Sequence, residues 1–223
     1  MIFLVILFPL SHKLRSNNYH PIEVALTQLL IENLSYWNYK PVNLTVGPGD
    51  IVCLYGPSGC GKTLFLRALT NLDVSEGKVF LDETESQSIP APEWRKRLGF
   101  LPADTVWWYN TVGEHFQGLE ESWLEELGFP SDVLTWEVSR LSVGESKRLG
   151  LLRMLCNKPR ALLLDEPTAN LDQESVQSVE TLIRDYQKKE QAPIIWVSHE
   201  ERQRERIASR FINISKEGQW VEQ

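Results

Sequence analysis

Residues 51–69 read IVCLYGPSGCGKTLFLRAL, and this stretch decides the fold. IVCLY at 51–55 is an unbroken apolar run, the pattern of a strand covered on both faces. LFLRALTNL at 64–72 carries apolar residues at helical spacing. Between them GPSGCGKT at 56–63 fits G-x-x-x-x-G-K-[ST] without deviation, in the strand–loop–helix context that such a loop needs. Its glycines let the backbone wrap a phosphate, so the amides of Gly59, Cys60, Gly61 and Lys62 can point inward. Lys62 supplies a cation for β- and γ-phosphates, and Thr63 supplies a hydroxyl to Mg²⁺.

Outward from the loop, the chain alternates strands and helices. LTQLLIENLSY at 26–36 and VNLTV at 42–46 precede it as strands, with GPGD at 47–50 as a turn. After it, 76–82 and 97–102 read as strands, separated by a polar loop over 83–93. ALLLD at 161–165 is a second buried strand, 173–189 an amphipathic helix, and 193–198 another strand. ERQRERIASR is helical, and FINISKEGQWVE a closing hairpin. Such alternation implies an α/β fold with a mainly parallel sheet and N-terminal antiparallel strands. Residues of about 104–157 change character: VGEHF, SWLEELG and VGESKRLGLLRML carry helix-type patterns, so a short helical subdomain is inserted there. Asp165 ends a buried strand, where a carboxylate can hold Mg²⁺. Glu166 follows it and can polarise an attacking water.

Composition narrows the class. The chain has 223 residues and a net charge of −7, which argues against a general nucleic-acid binder, since that needs a basic field. Cys53, Cys60 and Cys156 form an odd, sparse set, a poor disulfide framework that suits a reducing compartment. The first ten residues, MIFLVILFPL, are almost wholly apolar, but as a helix fall well short of the ~30 Å hydrocarbon core. They lack the basic start and small-residue cleavage site of a signal peptide. Residues 1–21 therefore read as an extension. It is dispensable or an overcalled start, or an anchor for a membrane surface or partner, with a signal peptide the least favoured alternative.

Three further segments narrow the reading. LSVGE at 141–145 resembles the LSGGQ signature of ABC ATPases, which are P-loop NTPases. PTANLD at 167–172 looks like the segment after their catalytic glutamate, and VSH at 197–199 matches their switch histidine. The resemblance covers about 22–223. Within the family, the run SDVLTWEVSRLSVGESKRLGLLRML, with IIWVSHE later, is similar to small stand-alone ATPase subunits assigned to iron export.

The resemblance implies a subunit that binds and hydrolyses ATP to energise a separate integral membrane permease, from the cytoplasmic face of the membrane. It implies a second ATPase domain packed head to tail, most simply a homodimer. Gly56, Pro57, Ser58, Gly59, Cys60, Gly61, Lys62, Thr63 and Leu64 would hold ATP, with Tyr36 stacking on adenine and Trp37 and Tyr39 as rivals. Ser142, Val143, Gly144, Glu145 and Asp172 would meet the nucleotide across the dimer. Thr63 and Asp165 would hold Mg²⁺, with Glu166 and His199 as catalytic residues. A regulatory ATP-binding module with little turnover is the alternative. A DNA-repair or chromosome ATPase is disfavoured by the acidic charge and the short connection before the signature. The chain departs from the family at Ala103, where a glutamine usually reaches the metal and the attacking water. Asp104 beside it is a candidate substitute. Val143 stands for a glycine that can adopt positive φ, and Leu64 for a second hydroxyl. VWWY at 106–109 follows the segment that faces the membrane subunit in the family.

Overall fold

The computed structural model describes residues 27–222, so the 1–21 extension lies outside the described residues. From the N-terminal side run β1 (Leu29–Tyr36), β2 (Val42–Val46), β3 (Ile51–Tyr55), α1 (Lys62–Leu69), β4 (Ser75–Leu81), β5 (Thr84–Glu85), α2 (Ala91–Arg97) and β6 (Leu98–Leu101). A mostly irregular segment containing α3 (Glu121–Glu126) leads into α4 (Val143–Leu155) and β7 (Ala161–Asp165). Then come α5 (Gln173–Glu190), β8 (Ile194–Val197), α6 (Glu201–Ile207), β9 (Arg210–Ile214) and β10 (Trp220–Glu222).

The strands form two sheets. A four-stranded antiparallel sheet has the order β2-β1-β4-β5, and a six-stranded sheet the order β10-β9-β3-β8-β7-β6. In the larger sheet β3, β6, β7, β8 and β9 run parallel, and only β10 is antiparallel. Its central strands are apolar throughout because both faces are covered. Along β7, Ala161 and Leu163 face one core, shared with α1 and the antiparallel sheet. Leu162 and Leu164 face the other, shared with α4 and α5. β8 repeats the pattern, with Ile195 and Val197 on the first side and Ile194 and Trp196 on the second. The period of two thus divides each run between two cores.

The segment before α4 is less helical than its pattern suggests. VGEHF gives a single 3₁₀ turn, Gly113–His115, and two more such turns cover Val133–Thr135 and Val138–Arg140. α3 ends at Glu126, and Gly128 just past its C-cap takes a φ of 73°. The supposed polar loop over 83–93 instead contains β5 and the start of α2. α2 is held by one residue, the buried Trp94, whose Nε1 donates to the Leu69 carbonyl at 2.8 Å. A single buried side chain leaves no periodicity to read.

Candidate functional site

The functional side chains gather at the C-terminal ends of β3, β7 and β8, where open α/β sheets bind ligands. The loop after β3 turns on left-handed glycines: φ is 79° at Gly59 and 96° at Gly61. A Cβ on Gly61 would lie 2.6 Å from the Tyr39 ring, whereas one on Gly59 would meet nothing within 4 Å. The cradle is therefore open above Gly59 and closed by Tyr39 at Gly61. Cys60 is buried in its floor. Lys62 is the first residue of α1, and its Nζ donates to the Gly56 and Pro57 carbonyls at 2.9 and 3.1 Å. The buried ammonium thus laces the loop from inside. The first regular helical bond is Phe65 N to Gly61 O at 2.9 Å. The amides of 62–64 belong to a helix's first turn, which has no acceptor of its own. Leu64 contributes only such an amide; its side chain packs on the first core.

One residue later, Thr63 Oγ1 donates to Asp165 Oδ2 at 2.6 Å, joining α1 to the end of β7. Asp165 is 2% exposed. Burial pushes its carboxyl above the usual carboxylate range, and the Thr63 hydrogen bond pulls it partly back. A hydroxyl and a carboxylate side by side are the hard oxygen donors that Mg²⁺ takes, one or two from protein and the rest from phosphate and water. Glu166 turns the chain at a φ of 50°, and its carboxylate lies 2.9 Å from His199 Nε2. A cleft of about 260 Å³ opens beside this pair, lined also by Thr168, Asn170 and Gln203. The glycine-rich loop, the Thr63–Asp165 pair and the Glu166–His199 pair therefore share one end of the sheet.

The signature residues sit at the start of α4. Ser142 is its N-cap, in a capping box: Glu145 N donates to Ser142 Oγ at 3.2 Å, and Ser142 N to Glu145 Oε2 at 2.8 Å. These bonds hold the Glu145 carboxyl below its ordinary range. Val143 is the first helical residue and is 68% exposed. Its backbone is not left-handed, so the expected conflict with valine does not arise. Gly144 abuts Leu171, since a Cβ there would be 3.1 Å from Leu171 Cδ2. Asp172 caps α5, accepting from Ser175 N at 2.9 Å. The signature and the 167–172 segment are thus neighbours on one surface.

The aromatic reading requires correction. Tyr36 is 2% exposed, packed on Phe65 and Tyr39 with ring centroids 5.5 and 5.0 Å away. It is a core residue and offers no face to a base. Trp37, 78% exposed, and Tyr39, laid along the loop, are the available rings.

The ABC transporter family profile matches residues 39–169. The chain belongs to the ABC transporter family. It is one of that family's ATP-binding ATPase subunits. Among similar proteins, the probable iron export ATP-binding protein FetA of Escherichia coli (strain K12) is 30% identical over 172 residues, covering 71% of this chain and 76% of FetA. The phosphate import ATP-binding protein PstB of Aeropyrum pernix is 30% identical over 220 residues, covering 85% of this chain and 87% of PstB. A solved ATP-binding cassette, described as a dimer in a post-hydrolysis state bound to ADP and Pi, superposes with a TM-score of 0.74 at 21% identity, covering 87% of this chain and 97% of that one.

Sequence reading overlooked two parts of this ABC site. Lys147, buried on α4, donates from Nζ to the Glu166 carbonyl at 3.0 Å. Its place four residues before Leu151, on the helix's apolar side, was the available signal. The second part is a polar cluster behind His199. Ser198 Oγ donates to Gln203 Oε1 at 2.7 Å, and Gln203 Nε2 donates to Thr168 Oγ1 and Glu180 Oε1 at 2.7 and 2.8 Å. No motif covers Gln203 or Glu180.

Proposed function

We propose that this chain hydrolyses Mg²⁺-ATP as one of a pair of such domains, at the cytoplasmic face of a membrane, to drive transport through a separate integral membrane permease. The observation that carries the reading is the joining of Thr63 and Asp165 next to the paired Glu166 and His199, all beside the phosphate loop. Lys62 and the loop amides bind the phosphates. Thr63 and Asp165 would hold Mg²⁺, which would supply charge to offset that of the phosphates. Glu166 accepts a proton from the attacking water, and His199, now on the Glu166 carboxylate, is within reach of the same space. Ser142, Val143, Gly144, Glu145 and Asp172 lie on the face offered to the second domain.

No helix among the described residues is long and apolar enough to cross a membrane, which supports a separate permease. The docking surface we assign to it is the cleft of about 440 Å³ lined by Trp108, Tyr109, Glu114, His115, Gln117 and Arg153. Trp108 and Tyr109 are exposed there, and the Arg153 guanidinium lies 4.6 Å from the rings of both Trp107 and Trp108. For cargo we carry forward iron export, on the FetA similarity; PstB, equally identical, supports phosphate import instead. Uptake and efflux assays on the assembled transporter separate these. The alternative, a regulatory module with little turnover, is favoured by Ala103, whose side chain has neither donor nor acceptor.

The test is steady-state ATPase activity. Glu166→Gln keeps ATP binding and lowers kcat by about 10²-fold or more, and traps a nucleotide-bound dimer on sedimentation. Lys62→Ala weakens nucleotide binding itself, because the phosphate charge loses its cation. Wild-type turnover matching that of Glu166→Gln, with and without the membrane partner, would establish the regulatory module.

A further inference from the structure

Lys147 is a buried ammonium in the second turn of α4, 5% exposed, and its acceptor is the main-chain carbonyl of Glu166 at 3.0 Å. That carbonyl also accepts Ala169 N at 3.2 Å, closing the turn after β7. Glu166 holds a left-handed backbone, φ 50°. A non-glycine residue adopts this at a cost and keeps it only when its surroundings fix it. Lys147 is one of the groups that fix it.

The helix carrying Lys147 is anchored on other sides as well. Trp107 Nε1 donates to Ser146 Oγ at 2.7 Å, Arg148 Nη1 to the Leu127 carbonyl at 2.6 Å, and Arg153 Nη1 to the Val106 carbonyl at 2.9 Å. α4 therefore joins the aromatic segment, the signature at its own N-terminus and the turn that carries Glu166. Burial pulls the Lys147 ammonium below the usual lysine range, and the three acids around it, Glu166, Asp104 and Asp165, offset this only in part. An ammonium at this place is costly for folding alone, since an apolar side chain of the same length would fill the space without desolvating a charge.

We propose that Lys147 is a positioning residue for hydrolysis: it ties the Glu166 turn to α4, so that a shift of the signature helix moves the carboxylate that activates water. This rests on the ATPase reading above. Lys147 acts through the Glu166 main chain, and its loss affects the rate rather than binding.

The experiment compares wild type with Lys147→Met, which keeps length and apolar bulk, and with Lys147→Gln, which restores an N–H donor, in the full chain. Four quantities are measured: kcat and KM for Mg²⁺-ATP, Kd for the non-hydrolysable analogue adenylyl imidodiphosphate, the thermal midpoint, and amide exchange over 164–171. Lys147→Met is expected to lower kcat by about tenfold to a hundredfold, as a misplaced reacting group does. KM and Kd stay within about twofold, and the thermal midpoint is unchanged or raised. Exchange over 164–171 quickens by about tenfold, and Lys147→Gln recovers part of both losses. An unchanged kcat overturns the proposal. So does a loss of kcat accompanied by weaker analogue binding and a lower midpoint in both variants, which marks a merely structural role. A wild-type chain without turnover overturns the ATPase reading instead. In that case unchanged exchange in Lys147→Met also overturns the tie to Glu166, and faster exchange upholds it.

Discussion

Replacing Glu180 tests whether the polar cluster behind His199 holds the site together. The buried Glu180 carboxylate accepts from Arg206 Nε and Nη2 at 2.8 and 2.7 Å, and from Gln203 Nε2 at 2.8 Å. Glu180→Ala strands these donors unequally. The Arg206 side chain is 47% exposed and recovers water; Gln203 is buried and does not. A hydrogen bond to a charged group contributes about 1.5–3 kcal/mol, and a stranded buried donor costs about 1–3 kcal/mol. Taking the Gln203 loss in full and the Arg206 pair at a fraction gives a destabilisation of about 3 kcal/mol. Glu180→Gln, which keeps an acceptor, should lose about half of that. The assay is urea unfolding at neutral and acid pH. Burial pushes the Glu180 carboxyl up, but the bonds from Arg206 and Gln203 outweigh it and hold the carboxyl below the usual range. Its contribution is therefore complete above the ordinary glutamate pKa of about 4.3, and is lost as pH falls through the lower folded value. The wild-type and Glu180→Gln stabilities should converge on acidification. A Glu180→Ala variant within about 0.5 kcal/mol of wild type at neutral pH, or a gap that does not shrink in acid, would refute the reasoning.

Gly61→Ala should weaken nucleotide binding at least about tenfold, because its φ of 96° is foreign to alanine and its Cβ would meet Tyr39. Isothermal titration in a Tyr39→Ala background should recover only the steric share, leaving the backbone strain of about 1–3 kcal/mol. Trp108→Ala should reduce co-purification with the membrane protein while nucleotide Kd stays within about twofold; an unaffected co-purification moves the docking surface elsewhere.

How much was legible follows from what each residue has to satisfy. GPSGCGKT could be read because wrapping a phosphate dictates residue types at fixed places. IVCLY and ALLLD could be read because burial on both faces leaves an unbroken apolar run. The resemblance implies an adenine-stacking role for Tyr36, and the shape of β1 removes it. The register shifts between Ile31 and Leu34, and Asn33 takes a φ of 49°. This bulge reverses the alternation, so that Leu29 and Ile31 before it, and Leu34 and Tyr36 after it, all face the core. Plain alternation would place Tyr36 with Leu30, on the other side. The middle segment was overread as helix because its apolar residues serve short 3₁₀ turns. There His115, not helical periodicity, sets the path: its Nε2 accepts from the amides of Trp108 and Tyr109 at 3.0 and 2.9 Å. Lys147 and Gln203 are invisible to motifs because Glu166, Thr168 and Glu180, which they bind, lie 19, 35 and 23 residues away.

The strand order of the larger sheet also bears on how the protein is made. β3, which carries the phosphate loop, is flanked by β8 and β9, strands synthesised some 140 residues and more after it (~143 from Ile51 to Ile194). Gly56 also packs against the Ile214 carbonyl, so closely that a Cβ there would approach it to 2.2 Å. A nascent chain released only as far as α5 can pair β1, β2 and β4, but it leaves β3 without either neighbour and the loop without its wall. Nucleotide competence thus arrives late in translation, after the chain has closed its longest-range pairings. Such pairings are slow to form, and until they do, β3 remains an apolar strand with two open edges, open to chaperones and to aggregation alike.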